Sequence, residues 1–130
     1  MRQLKLLGFT LGCRMRRIAK KPLTIMALSA ADLDRFNYNT GDSEGFVNYP
    51  LQARDVVANV LILERPDCIK LSIRSKGEFP VNEFAARYFG GGGHLNAAGG
   101  TYHGALEDAV KIYENNIVRF YEEWLALQNK

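Results

Sequence analysis

Apolar and polar residues alternate along CIKLSIRS, residues 68–75. A period of two places the two sets on opposite faces of a β-strand, and the polar set here is Lys70, Ser72 and Arg74. The preceding run DVVANVLILE, residues 55–64, is also rich in strand-forming residues, and Arg-Pro-Asp separates the two runs. We therefore predict a β-hairpin whose second strand has one apolar and one polar face.

A second pattern, with apolar residues three and four positions apart, predicts helices. The longest stripe is the last of three: residues 2–19, 81–89 and 106–128. Pro22 ends the first helix, and LTIMALS, residues 23–29, follows as a predicted buried strand. Ser29, with Asp32 three positions on, predicts the start of a short helix over residues 30–36.

The remaining segments connect these elements. NYNTGDSEG, residues 37–45, is typical of a turn-rich loop, and FVNYPLQA, residues 46–53, predicts a short helix or turn. GTYH, residues 100–103, predicts a short strand. The fold class is therefore α/β: a mixed β-sheet packed by helices, with an amino-terminal connector helix and a long C-terminal helix. We divide the chain into the connector helix, residues 1–21, and one domain over residues 22–130.

The charge distribution is uneven along the chain. Residues 1–21 hold seven Lys or Arg and no acid, which leaves ten basic and fourteen acidic residues for the rest of a chain with net charge +3. Three interpretations of the basic helix are open. A transit peptide should be rich in serine, which this segment lacks. A nucleic-acid-binding face is the second interpretation. A helix that packs its apolar stripe and leaves its arginines in solvent is the one we favour.

Composition excludes other classes. Hydrophobic residues make up 47% of the chain, enough for a folded core, but no apolar run is long enough to span a membrane. No apolar signal-peptide core follows the basic segment. Cys13 and Cys68 are isolated, so we expect neither a disulfide framework nor a zinc site, and the expected location is the reducing cytoplasm.

Six of the twelve glycines lie in GGGGHLNAAGG, residues 90–100. The spacing fits neither a P-loop nor a dinucleotide-binding fingerprint. Bare glycine amides can approach an anion closely, His94 adds a hydrogen-bond donor, and Asn96 adds an amide. The alternative is a flexible surface turn, which the entropic cost of six clustered glycines disfavours.

This segment resembles the glycine–histidine motif of the C-terminal, DHH-associated domain of DHH-family phosphoesterases. FNYNTGDSEGFVNYPL, LSIRSKGEFPVNEFAARYFGGGGH and NAAGG occur in the family's order and spacing, so the resemblance covers roughly residues 23–128. The family includes single-strand-specific exonucleases, cyclic-dinucleotide phosphodiesterases and nano-RNases. The match is most similar to the branch of bifunctional oligoribonucleases and adenosine bisphosphate phosphatases. It identifies residues 22–130 as a substrate-binding domain.

The resemblance implies a set of substrate-binding residues. The glycine–histidine loop of the family closes over the substrate beside a metal centre, and the arginine of SIRS pairs with a backbone phosphate. Arg74 has the alternative role of a solvated or ion-paired residue. Carried onto this sequence, the implied substrate-binding residues are Gly92, Gly93, His94, Arg74, Asn96, Ser72 and Asn48.

The family's catalytic half holds two manganese ions on Asp and His clusters that include Asp-His-His. This chain has no such triplet, and its two histidines, His94 and His103, cannot supply the centre. We therefore expect no catalytic residue and no metal or other cofactor in this chain. Manganese is expected in a separate DHH catalytic domain, and the chain should be inactive alone.

Two functional hypotheses follow. The first is a substrate-binding domain of a phosphoesterase that hydrolyses short oligoribonucleotides or small nucleotides. The second is a non-catalytic module that binds a nucleotide or single-stranded nucleic acid. Expected partners are short RNA, nucleotides or single-stranded nucleic acid, the DHH catalytic domain, and a second copy in a full-length homodimer, with no membrane. A third interpretation is a structural fragment that self-associates through the apolar stripe of residues 4–18.

Overall fold

A six-stranded β-sheet organises the protein, and helices pack on both of its faces. The computed structural model describes all of residues 1–130. The α/β class and the long C-terminal helix are confirmed. In chain order the elements are α1 (Arg2–Phe9), a π-helical turn (Thr10–Arg14), β1 (Met15–Arg17), β2 (Leu23–Leu28), α2 (Ala30–Arg35), a 3₁₀ helix (Phe46–Gln52), β3 (Ala58–Glu64), β4 (Ile69–Ser75), α3 (Val81–Phe89), β5 (Gly92–His94), β6 (Ala97–Tyr102) and α4 (Leu106–Gln128).

The strands lie in the order β1-β2-β3-β4-β6-β5. β2 and β3 pair in parallel, and the crossover between them contains α2 and the 3₁₀ helix. Every other neighbouring pair is antiparallel. The predicted β3–β4 hairpin is confirmed, and so is the capping box that starts α2, where Ser29 accepts from the Asp32 amide and Asp32 from the Ser29 amide. None of the helices is long and apolar enough to cross a bilayer.

The predicted helix over residues 2–19 is wrong at its end. The helical segment stops at Arg14, and Met15–Arg17 forms β1, which pairs with β2 at one edge of the sheet. The open edge of β2 offers ladder hydrogen bonds that compete with the last helical turn, and Gly8 and Gly12 lower the helix propensity of the preceding segment. The division of the chain at residue 21 stays a prediction.

Acidic residues of the domain over residues 22–130 pair with the basic amino-terminal segment. Arg14 donates to Asp32 at 2.9 and 3.0 Å, Arg16 donates to Glu114, and Arg17 donates to Asp55 at 2.7 Å. The hydrogen bond from Arg14 lowers the pKa of the Asp32 carboxyl. These three guanidinium groups therefore have partners within the protein, in agreement with a packed segment rather than with a free basic face.

The larger core lies between one face of the sheet and the helices α3 and α4. The apolar side of β4 contributes to it, and Phe79, Phe84 and Tyr113 are its largest fully buried side chains. Phe84 meets the ring of Tyr113 edge to face at a centroid distance of 5.3 Å, a favoured aromatic geometry. Burial raises the pKa of the Tyr113 hydroxyl, which stays protonated.

A smaller core covers only half of the opposite face. It consists of eight buried residues from α1, α2, the 3₁₀ helix, β2 and β3: Leu6, Met26, Leu28, Leu33, Phe46, Val47, Leu61 and Leu63. None of the eight comes from β4, β5 or β6. The polar face of β4 and the same face of β5 and β6 are therefore left outside both cores, and four of the seven predicted site residues lie there.

Candidate functional site

Strand pairing aligns the polar face of β4 with the glycine-rich strands β5 and β6. Residues directly opposite each other on antiparallel strands share a face of the sheet. Two rows consequently cross the three strands on the open face: Ser72–Gly99–Gly92 and Arg74–Ala97–His94. Four of the seven predicted site residues thus lie on one surface, although they are up to 22 positions apart in the sequence.

An open groove of about 520 Å³ lies along these rows. Its lining comes from β4, from Gly90 to Gly92 and from β6. The residues of β6 that pair with β5 are Ala97, Ala98 and Gly99, so little side-chain volume rises from this part of the floor. The polar walls come from Lys70, Ser72 and Arg74 of β4. A groove with two cationic side chains beside bare backbone suits an anionic, extended ligand.

The glycine segment is not the open loop that we expected. Gly92–His94 pairs with Ala97–Ala98–Gly99 as an edge strand, and the Gly91 amide donates to the carbonyl of Ala85 at 3.1 Å. Part of the main chain is therefore used internally. Because β5 is the last strand of the sheet, its outward-facing backbone groups have no strand partner and remain available.

Close packing explains two of the glycines. A Cβ atom on Gly91 would lie 1.8 Å from the carbonyl oxygen of Gly99, and one on Gly100 would lie 2.6 Å from Cβ of Phe89. Gly93 has a φ of +144°, which side chains of L-residues rarely adopt. Around Gly92, by contrast, no atom lies within 4 Å of an added Cβ. Gly92 therefore faces open space, as a residue that lets a ligand approach would.

His94 ends β5 and is exposed. Ala97 is the one residue that separates it from Arg74 in their row across the sheet. Arg74 is half-buried, and its Nη1 donates to the carbonyls of Ile73 at 3.0 Å and Ala98 at 3.4 Å. These contacts fix the guanidinium over β6 and leave its Nε and Nη2 for an external acceptor. An imidazole and a guanidinium thus face the same open surface.

Asn96 lies in the turn between β5 and β6, and its side chain is bonded within the protein. Its amide nitrogen donates to Ser75 Oγ at 2.9 Å and to the carbonyl of Gly77 at 3.0 Å. The main chain of the turn is also tied down, since the Ser75 amide donates to Asn96 and the Val81 amide donates to Leu95. Asn96 therefore locks the β5–β6 turn against the end of β4, which sets the position of His94 relative to Arg74.

Replacing Asn96 by alanine should loosen this turn. Two hydrogen bonds are lost, and we expect a decrease in the free energy of unfolding of roughly 1–2 kcal/mol. Amide hydrogen exchange at Ser75 and Val81, whose amides donate to the carbonyls of the turn, should become faster, while exchange in β3 should change little. Asn115→Ala, at an exposed position of α4, is the matched control. A variant with unchanged exchange and stability but weaker ligand binding would instead assign Asn96 to direct contact.

Asn48 lies on the 3₁₀ helix and is exposed, but it lines neither the groove nor the pocket described below. That helix is tied to the sheet by a fully buried polar pair. Asn59 Nδ2 donates to the carbonyl of Val47 at 3.0 Å, and Thr24 donates to Asn59 Oδ1 at 2.8 Å. The structure therefore places Asn48 at the margin of the region that contains Arg74 and His94.

Lys70 was not among the predicted site residues, yet it lines the groove together with Arg74. The period-two pattern of β4 already places both side chains on one face, so the signal was present in the sequence.

The structure offers no set of metal ligands. No group of three or more His, Cys, Asp or Glu side chains is arranged to hold an ion. The residues of this chain do not fit a two-manganese centre, and we derive no step through one.

Comparison with known proteins identifies the family to which this fold belongs. The family model of the DHHA1 domain matches residues 20–119. The crystal structure of an exopolyphosphatase-related protein from Bacteroides fragilis superposes with a TM-score of 0.87 at 38% sequence identity, covering 99% of this chain and 36% of that one.

Two curated relatives match shorter stretches. The bifunctional oligoribonuclease and PAP phosphatase NrnA of Thermus thermophilus is 35% identical over 82 residues, which are 63% of this chain and 24% of the relative. A 3′,5′-cyclic-nucleotide phosphodiesterase of Helicobacter pylori is 33% identical over 75 residues, 51% of this chain and 22% of the relative. The matched region thus spans about a quarter of each relative's length. The chain belongs to the DHHA1 domain family, as an accessory domain of the DHH-phosphoesterase type.

Proposed function

We propose that this chain is the substrate-recognition domain of a DHH-family phosphoesterase that acts on short oligoribonucleotides or small nucleotides. The groove between β4 and β5 would hold a phosphate and the terminal nucleotide. One observation carries the proposal: Arg74 and His94 lie in one row across the open sheet face, separated by Ala97 alone. The names of the Thermus and Helicobacter relatives, an oligoribonuclease with phosphatase activity and a nucleotide phosphodiesterase, support the substrate class.

Each side chain has a distinct part in this proposal. The guanidinium of Arg74 is planar and suits bidentate hydrogen bonding to phosphate oxygens. Lys70 adds a second, more mobile positive charge on the same strand face. His94 donates a hydrogen bond from the end of β5, and Gly92 allows the sugar–phosphate chain to lie against the backbone. Ser72 contributes a hydroxyl between the two cations.

Hydrolysis is assigned to another polypeptide segment. The residues of this chain bind and orient the ligand, and no group of three or more His, Cys, Asp or Glu side chains is placed to hold a metal ion. In the proposed enzyme, manganese would be held by the DHH catalytic domain and would supply an activated water. The contribution of the present domain is to position the phosphate, which lowers the entropic cost of reaching the reactive arrangement.

Calorimetric titration of the 130-residue chain with a diribonucleotide tests the proposal. We expect binding by the wild type and a loss of about tenfold or more in affinity for His94→Ala, since a hydrogen bond to a charged group contributes roughly 1.5–3 kcal/mol. His103→Ala removes the other exposed imidazole and should leave affinity unchanged. Equal affinities for His94→Ala and wild type would refute the assignment of His94, and absence of binding to any nucleotide would refute the proposed function.

A further inference from the structure

A second pocket, of about 270 Å³, lies on the other side of β4 from the groove. Its wall is the loop over residues 38–45, and its floor is formed by Val47, Leu61 and Leu63. The two cavities share three side chains of β4, namely Lys70, Ser72 and Arg74. A ligand with an anionic group bound at these side chains can therefore extend into either cavity.

The loop over residues 38–45 is already held in place without a ligand. The buried carboxylate of Asp42 accepts from Arg2 at 2.7 and 3.1 Å and from the Asn39 amide at 2.9 Å. The hydroxyls of Tyr38 and Ser43 are 3.2 Å apart, and the guanidinium of Arg65 lies 4.7 Å from the centre of the Tyr38 ring. Because these contacts use groups of the protein alone, the pocket is preorganised, which lowers the cost of binding.

Glu44 is the one acidic residue that lines this pocket. It is exposed; its amide donates to the carbonyl of Gly41 at 3.1 Å, and its carboxylate forms no ion pair within the protein. An ionised carboxylate is an acceptor only, so it binds N–H or O–H donors and repels anions. Lys70 and Arg74 of β4 line the same pocket. The site therefore has two cationic groups that bind anions and one carboxylate that binds hydrogen-bond donors.

We propose that the pocket over residues 38–45 is a nucleoside subsite, in which Glu44 accepts hydrogen bonds from the hydroxyls or N–H groups of a nucleoside whose phosphate lies at Arg74. This inference rests on the proposed function of the groove. The apolar floor suits a base or a sugar ring, and the polar rim suits their edges. The volume of about 270 Å³ is close to the lower end of the roughly 300–1,000 Å³ of typical small-molecule sites, which suits a single nucleoside.

Titration of Glu44→Ala and Glu44→Gln with a ribonucleoside monophosphate tests the subsite. We expect Glu44→Ala to weaken binding about tenfold, while binding of inorganic pyrophosphate stays unchanged or becomes slightly tighter. Glu123→Ala, at an exposed position of α4, removes the same charge elsewhere and corrects for the change in net charge. Glu44→Gln keeps one acceptor oxygen and should lie between the wild type and Glu44→Ala.

The ligand series separates the two sources of donors. A loss that occurs with ribonucleotides and ribose 5-phosphate but not with 2′-deoxynucleotides assigns Glu44 to the sugar, and a loss confined to one base assigns it to that base. Both results support the subsite. Equal effects of Glu44→Ala and Glu123→Ala on nucleotide binding would overturn it, as would an equal loss of pyrophosphate affinity. If the wild-type protein binds pyrophosphate and binds no nucleotide more tightly than pyrophosphate, the nucleoside subsite is refuted, while the anion-binding groove is not. Protein that binds neither ligand would instead remove the proposed function itself.

Discussion

Alanine at position 91 should disrupt the β5–β6 hairpin and strongly destabilise the domain. The added Cβ would lie 1.8 Å from the Gly99 carbonyl oxygen and 2.8 Å from Cα of Gly100, and both are backbone atoms that cannot rotate away. Overpacking usually costs about 1–3 kcal/mol, and a backbone clash of this depth should reach or exceed the upper end. We expect urea denaturation to show a decrease in the free energy of unfolding of about 3 kcal/mol or more.

The adjacent glycine is the matched control for this variant. An added Cβ on Gly92 meets nothing within 4 Å, so Gly92→Ala should change stability by less than about 1 kcal/mol. Its methyl group would project into the groove, and we expect weaker ligand binding from a fully folded protein. If Gly91→Ala were as stable as Gly92→Ala, the close approach of β5 and β6 described for this segment would be incorrect.

Removal of the Arg74 side chain should cause the largest loss of binding. A guanidinium that donates two hydrogen bonds to a phosphate contributes roughly 1.5–3 kcal/mol per charged contact, so we expect Arg74→Ala to weaken diribonucleotide binding about a hundredfold. Arg74→Lys keeps the charge but loses the paired donors, and it should recover only part of the affinity. Calorimetry at two salt concentrations measures both effects, because losing a phosphate contact also lowers the salt dependence of binding.

The stability of the Arg74 variant must be measured beside its affinity. Its guanidinium donates only to the carbonyls of Ile73 and Ala98, and the backbone of β4 keeps its strand partners without it. We therefore expect a thermal unfolding midpoint near that of the wild type. Arg119→Ala, at an exposed position of α4 on the opposite side of the sheet, is the control. Unchanged affinity in folded Arg74→Ala would show that Arg74, on the polar face of β4, does not bind phosphate.

The sequence was sufficient to predict the elements whose patterns are local. Alternation along residues 68–75 identified β4 and its polar face, and the stripe over residues 106–128 identified α4, because burial on one side dictates both periods. The polar face of β4 also placed Ser72 and Arg74 together. Their alignment with Gly92 and His94 could not be derived in this way, since it depends on which strands pair and in which register.

Two errors have non-local causes. Residues 15–17 pair with β2 instead of continuing the helix predicted over residues 2–19. The spacing of apolar residues along the chain does not reveal that β2 has an edge free for pairing. The glycine segment was interpreted as an open loop, whereas Gly91 and Gly100 are needed for contact with Gly99 and Phe89. Composition shows that glycines are clustered but not which of them are packed. Asn96 illustrates the same limit, because its two acceptors lie 21 and 19 positions away.

A floor made of Gly92, Ala97 and Gly99 has a consequence for selectivity. These residues have no side-chain donor or acceptor, and the main-chain groups that pair β6 with β4 and β5 are engaged with each other. Such a surface has no group that distinguishes one nucleobase from another. Contacts there do not depend on base identity, as is general for protein contacts to the nucleic-acid backbone. Any preference for one base must therefore come from residues outside this floor, such as those of the pocket beside Glu44.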